Sequence, residues 1–313
     1  MKLTVALVTY NRPEYLQYAI TAVLDQTFND FEFLILDNGS TSKTAEVIKS
    51  FSDSRIKYIR NEKNDIEFIN YPFEIAQGEY IIITHDDDVM EKTFLEREVG
   101  ILDKFNDVSM VGTGVSHINS KGKVIKGKVI KLEQDKRFFK YDYIKEYFLK
   151  GNYLACPTLM MRIATVKEHK LKYNFEVGPM VDLYLNFQFN LQDKAIYFIS
   201  DSLYRYRIHD KQDSGINGIS MEFKIIPFLK KLLADSKQTD LAKQYEQAAL
   251  SQLVYSLTVK FVLGKLSFKA YTENLKEVRK RGLKCSKYLF FWLIKGLFKS
   301  GAKRIKDFLI KKR

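Results

Sequence analysis

Three consecutive aspartates, Asp86, Asp87 and Asp88, follow the apolar run Tyr80–Thr84. Adjacent carboxylates repel one another, and a buried strand leading into them would desolvate them. A divalent cation offsets both costs. Hard oxygen donors suit Mg²⁺ or Mn²⁺, which also bind the phosphates of a substrate. The plainer alternative is a solvated acidic turn that caps a helix from Glu91 onward. Two more polar clusters close apolar runs in the same manner: Thr9-Tyr10-Asn11-Arg12, and Asp37-Asn38-Gly39-Ser40 after Phe31–Leu36.

Regular elements must bring such clusters together, and the first ~110 residues supply them by pattern. Val5–Tyr10, Phe31–Leu36, Ile56–Ile59 and Tyr80–Thr84 read as buried strands. Between them lie a helical run opened by Pro13 (Tyr15, Leu16, Ala19, Ile20, Val23, Leu24), a second, weaker helix over Ala45–Phe51, and a helix over 66–77 stopped by Gly78. This alternation predicts an α/β fold with a mostly parallel central sheet covered by helices. In such sheets the ligand crevice lies outside the carboxyl ends of the strands, which puts all three polar clusters on one rim. Further along, residues 109–132 read as a hairpin arm turning at Ser120-Lys121-Gly122. A helix is predicted over 141–150, a strand over Leu159–Arg162, a helix over 181–191 and a strand over Ala195–Ile199. The pattern is helical from residue 219 onward, with the boundary near Ile219–Met221.

The 313 residues are 46% hydrophobic and 28% charged, enough to bury a core without disulfides or a metal staple. Cys156 and Cys285 form no framework, so a reducing compartment is the expectation. No window reaches the ~18 uncharged apolar residues of a spanning helix, and the first residues do not read as a signal peptide. The net charge of +13 is concentrated: residues 260–313 carry 17 Lys/Arg against 3 Asp/Glu, while the other 259 residues sum to −1. A near-neutral body with a basic end points to an anionic partner for that end.

The stretches Val8-Thr9-Tyr10-Asn11-Arg12, Gln26-Thr27-Phe28-Asn29-Asp30-Phe31-Glu32 and Leu36-Asp37-Asn38-Gly39-Ser40-Thr41 resemble, in order, the N-terminal signature of family 2 glycosyltransferases. Ala76-Gln77-Gly78-Glu79-Tyr80-Ile81, leading into Asp86-Asp87-Asp88, continues the likeness. It is co-linear over about residues 3–100 and returns over 151–215. The resemblance implies a GT-A type αβα sandwich plus a C-terminal helical region, with a nucleotide-binding half (1–110) and an acceptor half (111–218) in a catalytic domain of residues 1–218, followed by a helical region over 219–313. It implies an inverting, metal-dependent transfer from a nucleotide sugar, a UDP-sugar by family weight, to a hydroxyl of a glycan or lipid-linked acceptor, with Mn²⁺ or Mg²⁺ as cofactor.

Residue roles carry over from the same resemblance. Thr9, Asn11, Arg12, Asp37 and Asn38 fall at nucleotide-sugar positions, with Asp37 toward the base or ribose. Asp86, Asp87 and Asp88 fall at the metal and diphosphate site; His85 stands where other members carry the first Asp of the motif, which leaves Asp87 as a candidate main ligand and His85 as a turn residue or, alternatively, a ligand. Asn38 stands where many members carry a second Asp. Gly151–Thr158, before Leu159–Arg162, is similar to the family's acceptor-side segment. Met180-Val181-Asp182-Leu183 follows, in which Asp182 matches the general base and Val181 replaces an acid. On its own, Asp182 reads as the N-cap of a helix. Tyr204-Arg205-Tyr206-Arg207-Ile208-His209, followed by Ser214, resembles the end of the catalytic domain. This sets Arg207 toward the diphosphate and His209 among the metal ligands; the alternative is the wet face of an edge strand.

The C-terminal stretch joins aromatics at 288–298 to lysines on another helical face, with Ile294, Leu297, Phe298, Ile305, Phe308 and Leu309 aligned. This layout suits a helix lying in an anionic membrane interface, and hence a cytoplasmic enzyme peripheral to the inner face of the cell membrane. Nucleic acid is not expected as a partner, because no nucleic-acid-binding fold accompanies the charge. A nucleotidyltransferase is the runner-up within the fold, disfavoured because Thr9–Pro13 contains no Gly-rich phosphate loop. A non-catalytic, nucleotide-binding or scaffold member of the fold is the alternative from a different class.

Overall fold

A computed structural model of the chain describes residues 1–129, 132–151, 154–209 and 219–295. These fall into two units. The first takes the described residues up to 143, those of 154–176 and those of 181–209; the second takes 144–151, 177–180 and 219–295.

The first unit is a curled sheet flanked by helices. Its opening half follows the predicted alternation: β1 (Leu3–Thr9), α1 (Pro13–Leu24), β2 (Phe31–Asn38), α2 (Ser42–Lys49), β3 (Ile56–Asn61) and β4 (Tyr80–His85). β1 pairs in parallel with β2 on one side and β4 on the other, and β2 pairs in parallel with β3. β1, β2 and β4 are largely apolar runs because both faces are covered, while the outer strand β3 keeps Lys57 and Arg60 exposed. In α1, Pro13 opens the helix and Leu16, Ala19, Ile20 and Val23 form the single buried stripe that packs it down.

The predicted helix over 66–77 is shorter and broken. A 3₁₀ turn, Ile66–Asn70, is followed by one turn of α3 (Pro72–Ile75). Pro72 lacks the N–H that would continue the first turn and is favoured at the start of the second. Gly78 has a different task from stopping a helix: a Cβ there would lie 2.5 Å from the Thr4 backbone nitrogen, so only glycine allows the chain this close to β1.

The closing half of the unit contains β5 (Val89–Met90), α4 (Phe94–Lys104), β6 (Val108–Asn119), β7 (Val124–Lys126), β8 (Lys136–Phe138), β9 (Met160–Arg162), α6 (Ile163–Glu168), α7 (Val181–Asn190) and β10 (Ala195–Ile208); α5 (Asp142–Lys150) runs on into the second unit. Strand order across the sheet is β3-β2-β1-β4-β9-β6-β10-β5. β6 and β7 form the expected hairpin, turning at Gly122 with φ +79°; its continuation at 130–131 lies outside the described residues. β10 is longer than the sequence suggests. It runs through a bulge between Ile199 and Tyr204, so the segment with Arg205 and Arg207 belongs to the same strand. Nor is that segment an edge: Tyr204 pairs with Val115 of β6 on one side and Met90 of β5 on the other.

The second unit is helical, with α8 (Ile219–Asp235), α9 (Thr239–Val262), α10 (Phe268–Lys280) and a helix over 287–295. α9 buries Leu241, Ala242, Tyr245, Ala248, Ala249 and Leu253, and the Ser267 hydroxyl caps α10 by accepting from the Ala270 N–H at 3.2 Å. Among the described residues no helix is long and apolar enough to cross a membrane. The tail positions Leu297, Phe298, Ile305, Phe308 and Leu309, and Ser214, lie outside the described residues.

Candidate active site

Strand register decides which polar residues meet. Thr9 is level with Asp37 on β2, and Val8 is level with His85 on β4. The three clusters therefore open on one rim of the parallel strands. The Thr9 hydroxyl donates to Asp86 Oδ2 at 2.7 Å, and the Tyr10 N–H donates to the same oxygen at 3.2 Å. Arg12 Nη1 reaches Asp86 Oδ1 at 3.1 Å and Asp87 Oδ2 at 3.3 Å, tying the start of α1 to the acidic triplet.

Asp37 is fully buried, its Oδ1 accepting from the Ser40 N–H at 2.8 Å and its Oδ2 from the Tyr58 hydroxyl at 2.7 Å. Asn11 adopts φ +52°, a conformation asparagine tolerates. Its N–H donates to Ser40 Oγ and its Oδ1 accepts from the Thr41 N–H, locking the β1 and β2 ends together. Asn38 explains its own departure from the acidic pattern. Its amide donates to Asn64 Oδ1 and to the Asp65 carbonyl, both at 2.9 Å, and accepts from the Asp65 N–H at 3.0 Å. A carboxylate could not make the two donor contacts. Gly39, at φ +81°, lets the Asn64 backbone approach, since a Cβ would sit 2.8 Å from its nitrogen.

The three aspartates have different surroundings. Burial, then the charge of Asp87, pushes the Asp86 carboxyl up to about 6, against the pull of Arg12 and Thr9. Burial also lifts Asp87, but His85, His209 and Arg12 outweigh it and hold that carboxyl below its ordinary value. His209 Nε2 lies 2.9 Å from Asp87 Oδ2. Asp88 is driven well above the carboxylate range by burial, then by Asp87. Its Oδ1 accepts the Arg207 N–H at 2.8 Å, while its Oδ2 is buried with no hydrogen-bond partner among the described residues.

An orphaned buried carboxylate oxygen is costly, and a divalent cation is what would relieve it. The ligand atoms of His85, Asp87 and Asp88 all lie within 4.8 Å of one another, a set of hard oxygens and one imidazole that fits such an ion. This grouping differs from the sequence expectation. Asp86 is outside it because Thr9, Tyr10 and Arg12 occupy its two oxygens. His209 is outside it and instead braces Asp87. His85 is inside it. The sequence left His85 open between turn residue and ligand; its place at the end of β4, level with Val8, sets it beside Asp87 and Asp88.

Arg207 also differs from expectation. Rather than presenting its guanidinium to the rim alone, it donates Nε to the Asp87 carbonyl at 2.6 Å and Nη1 to the Asn119 and Ser120 carbonyls at 3.0 and 3.2 Å. Its guanidinium also lies 4.7 Å over the Tyr15 ring, which in turn sits 5.1 Å from the His209 ring. Tyr15, which the sequence offered only as a core position of α1, thus supports both.

Asp182 stands half-buried in the first turn of α7. Burial, then the charge of Asp182, lifts the Cys156 thiol to about 12. Cys156 Sγ lies 3.5 Å from the Tyr173 hydroxyl, whose own proton is held by burial and by the charges of Cys156 and Asp182. A half-buried carboxylate in a helix's first turn is suited to accept a proton.

Other signature residues have scaffolding tasks. Gln26 accepts from the Leu95 N–H and donates to the Glu91 carbonyl, and the Thr27 N–H donates to the Lys92 carbonyl, clamping the chain just beyond the triplet. At the opposite end of the strands, Glu32 gathers Thr4, Lys57 and the Gln77 N–H.

Comparison with known proteins agrees with this geometry. The family model of glycosyl transferase family 2 matches residues 4–168. The chain is 31% identical over 216 residues to an uncharacterized glycosyltransferase of Methanocaldococcus jannaschii, covering 67% of this chain and 72% of that one. It is 26% identical over 213 residues to the O-antigen biosynthesis glycosyltransferase WbnJ of Escherichia coli, covering 67% and 80%. Among solved structures, S. aureus TarS 1-349 in complex with UDP-GlcNAc superposes with a TM-score of 0.59 at 14% identity, covering 91% of this chain and 93% of that one, a likeness of fold. The parallel sheet, the matched signature and these relatives together make the chain a member of the family 2 glycosyltransferases.

Proposed function

We propose that this protein transfers a sugar from a UDP-sugar to a hydroxyl of a glycan or lipid-linked acceptor, with inversion at the anomeric carbon, in the synthesis of a surface polysaccharide or related glycoconjugate. The observation that carries the reading is the buried, unpartnered Asp88 Oδ2 within the His85–Asp87–Asp88 group, on the same rim as Thr9, Arg12 and Asp37. S. aureus TarS, whose fold is alike, has been solved with UDP-GlcNAc and with UDP, which supports a uridine nucleotide.

In this reading Asp37 and Thr9 border the nucleoside, with Asn11 and Asn38 shaping that border and Arg12 beside the phosphates. Asp87, Asp88 and His85 would hold Mn²⁺ or Mg²⁺, which when bound supplies positive charge to the diphosphate leaving group. Asp86 sets the position of Thr9 and Arg12, and Arg207 and His209 set that of Asp87 and Asp88. Asp182 accepts the proton of the acceptor hydroxyl as its oxygen bonds to the anomeric carbon and the bond to the diphosphate oxygen breaks. A lipid-linked acceptor would bring the reaction to a membrane surface, to which the basic C-terminal stretch is suited.

The test is donor hydrolysis across a panel of nucleotide sugars with Mn²⁺ present. One UDP-sugar should be hydrolysed slowly and its sugar transferred once the right acceptor is supplied. Binding of donors without turnover of any, with or without glycan acceptors, would overturn the transferase reading in favour of a scaffold.

A further inference from the structure

The helix over 287–295 is held by one face. Tyr288 and Trp292, one turn apart, are buried within the second unit. Trp292 Nε1 donates to the Phe148 carbonyl at 2.9 Å, the Tyr288 hydroxyl donates to Gln244 Oε1 at 3.1 Å, and the Phe148 ring meets Tyr288 edge-on at 5.7 Å. A buried indole whose N–H is paired makes a firm anchor.

Another face of the same helix is apolar and open. Phe290 is 70% exposed, Ile294 40% and Phe291 39%, and with Lys287 and Lys295 they line a shallow groove. Positions 287, 290, 291 and 294 recur at helical spacing, so they share one side. Two adjacent phenylalanines and an isoleucine on an anchored helix form a surface patch with a purpose beyond folding.

Charge selects the occupant. This helix lies within the stretch 260–313, whose 17 basic and 3 acidic residues would set two copies repelling if they met here. An anionic bilayer satisfies both features, taking aromatic side chains into the headgroup–acyl boundary and lysines among the phosphates.

We propose that Phe290, Phe291 and Ile294 form a membrane-docking face that seats on anionic phospholipid, with Lys287 and Lys295 at its rim. This deepens the membrane-surface reading given above and rests on it for the choice of partner.

The experiment is co-sedimentation of the full-length protein with vesicles of phosphatidylglycerol and phosphatidylcholine, against phosphatidylcholine alone, for the wild type and a Phe290→Ser/Ile294→Ser variant. Because both side chains are exposed, the variant keeps its melting temperature. The wild type should bind the anionic vesicles only, and the variant should bind them about tenfold less tightly or worse. Equal binding by both proteins would overturn this face while leaving membrane association standing. Absence of wild-type binding would overturn both. A wild-type dimer that the substitutions convert to a monomer, with vesicle binding unchanged, would assign the face to a second copy and overturn the proposal.

Discussion

The Arg207 main-chain N–H donates to Asp88 Oδ1 at 2.8 Å, from a strand 119 residues further along the chain. That bond occupies one oxygen of the buried Asp88 and leaves the other without a partner among the described residues. The Arg207 side chain completes the hold through Nε on the Asp87 carbonyl. β10 therefore presents the acidic triplet at a fixed orientation.

Arg207→Lys keeps the charge and the main-chain bond but loses the planar fork that spans three carbonyls. Mn²⁺ affinity, followed by the ion's magnetic resonance signal with UDP present, should weaken by about 10- to 100-fold, as for other groups that orient metal ligands. The thermal midpoint should fall as well, because buried carbonyls lose their donors. A change in stability alone, with Mn²⁺ affinity intact, would make Arg207 purely structural.

Asp182→Asn should reduce transfer by about 10²- to 10⁴-fold, the range of a general base, while leaving Mn²⁺-dependent UDP binding unchanged. Wild-type turnover by this variant would remove the base assignment.

Glu98 of α4 is fully buried, and neither of its oxygens has a hydrogen-bond partner among the described residues. Burial pushes its carboxyl well above the usual value of 4.5. A carboxyl raised on folding binds more protons folded than unfolded, so its contribution is most favourable below pH 4.5 and is lost as pH rises toward the folded value. Glu98→Met should thus stabilise the protein at neutral pH by about 1–3 kcal/mol. The advantage over wild type should shrink as pH falls toward 4.5. Urea denaturation of both proteins across that range measures it.

Glu32 is the opposite case. Burial opposes its charge, but Lys57, Thr4 and the Gln77 N–H outweigh burial and hold its carboxyl below 4.5. Its stabilising contribution is therefore present above pH 4.5 and lost as pH falls below it. Glu32→Ala strands Thr4 and Gln77 and should cost about 2–4 kcal/mol in urea denaturation at neutral pH. Specific activity of the folded fraction should stay within about twofold of wild type, since the clamp lies at the end of the strands away from the rim.

The parallel strands were legible because their apolar runs are continuous and their ends polar, so Thr9, Asp37 and the Asp86–Asp88 triplet could be set on one rim from spacing alone. Their separate tasks were not. Whether Asp86 or His85 offers a ligand atom beside Asp87 and Asp88 depends on strand register and on which neighbour donates to which oxygen, and a run of adjacent polar residues carries no such information. Only Ala195–Ile199 of β10 reads plainly as strand in the sequence, because the bulge at 199–204 interrupts the period-two pattern. Gln26 and Glu32 sit inside the recognisable signature yet serve the scaffold, through partners 65 and 45 residues away. The break at Pro72 was readable from the proline itself, and the apolar spacing around it masked the signal.

The most direct measurement is calorimetric binding of UDP with and without Mn²⁺ to the wild type and to Asp88→Asn. The wild type should bind UDP tightly only with Mn²⁺, and Asp88→Asn should lose that Mn²⁺-dependent part while still melting cooperatively. UDP bound equally well without the ion, or a full Mn²⁺ effect in Asp88→Asn, would contradict a cation held at the acidic triplet.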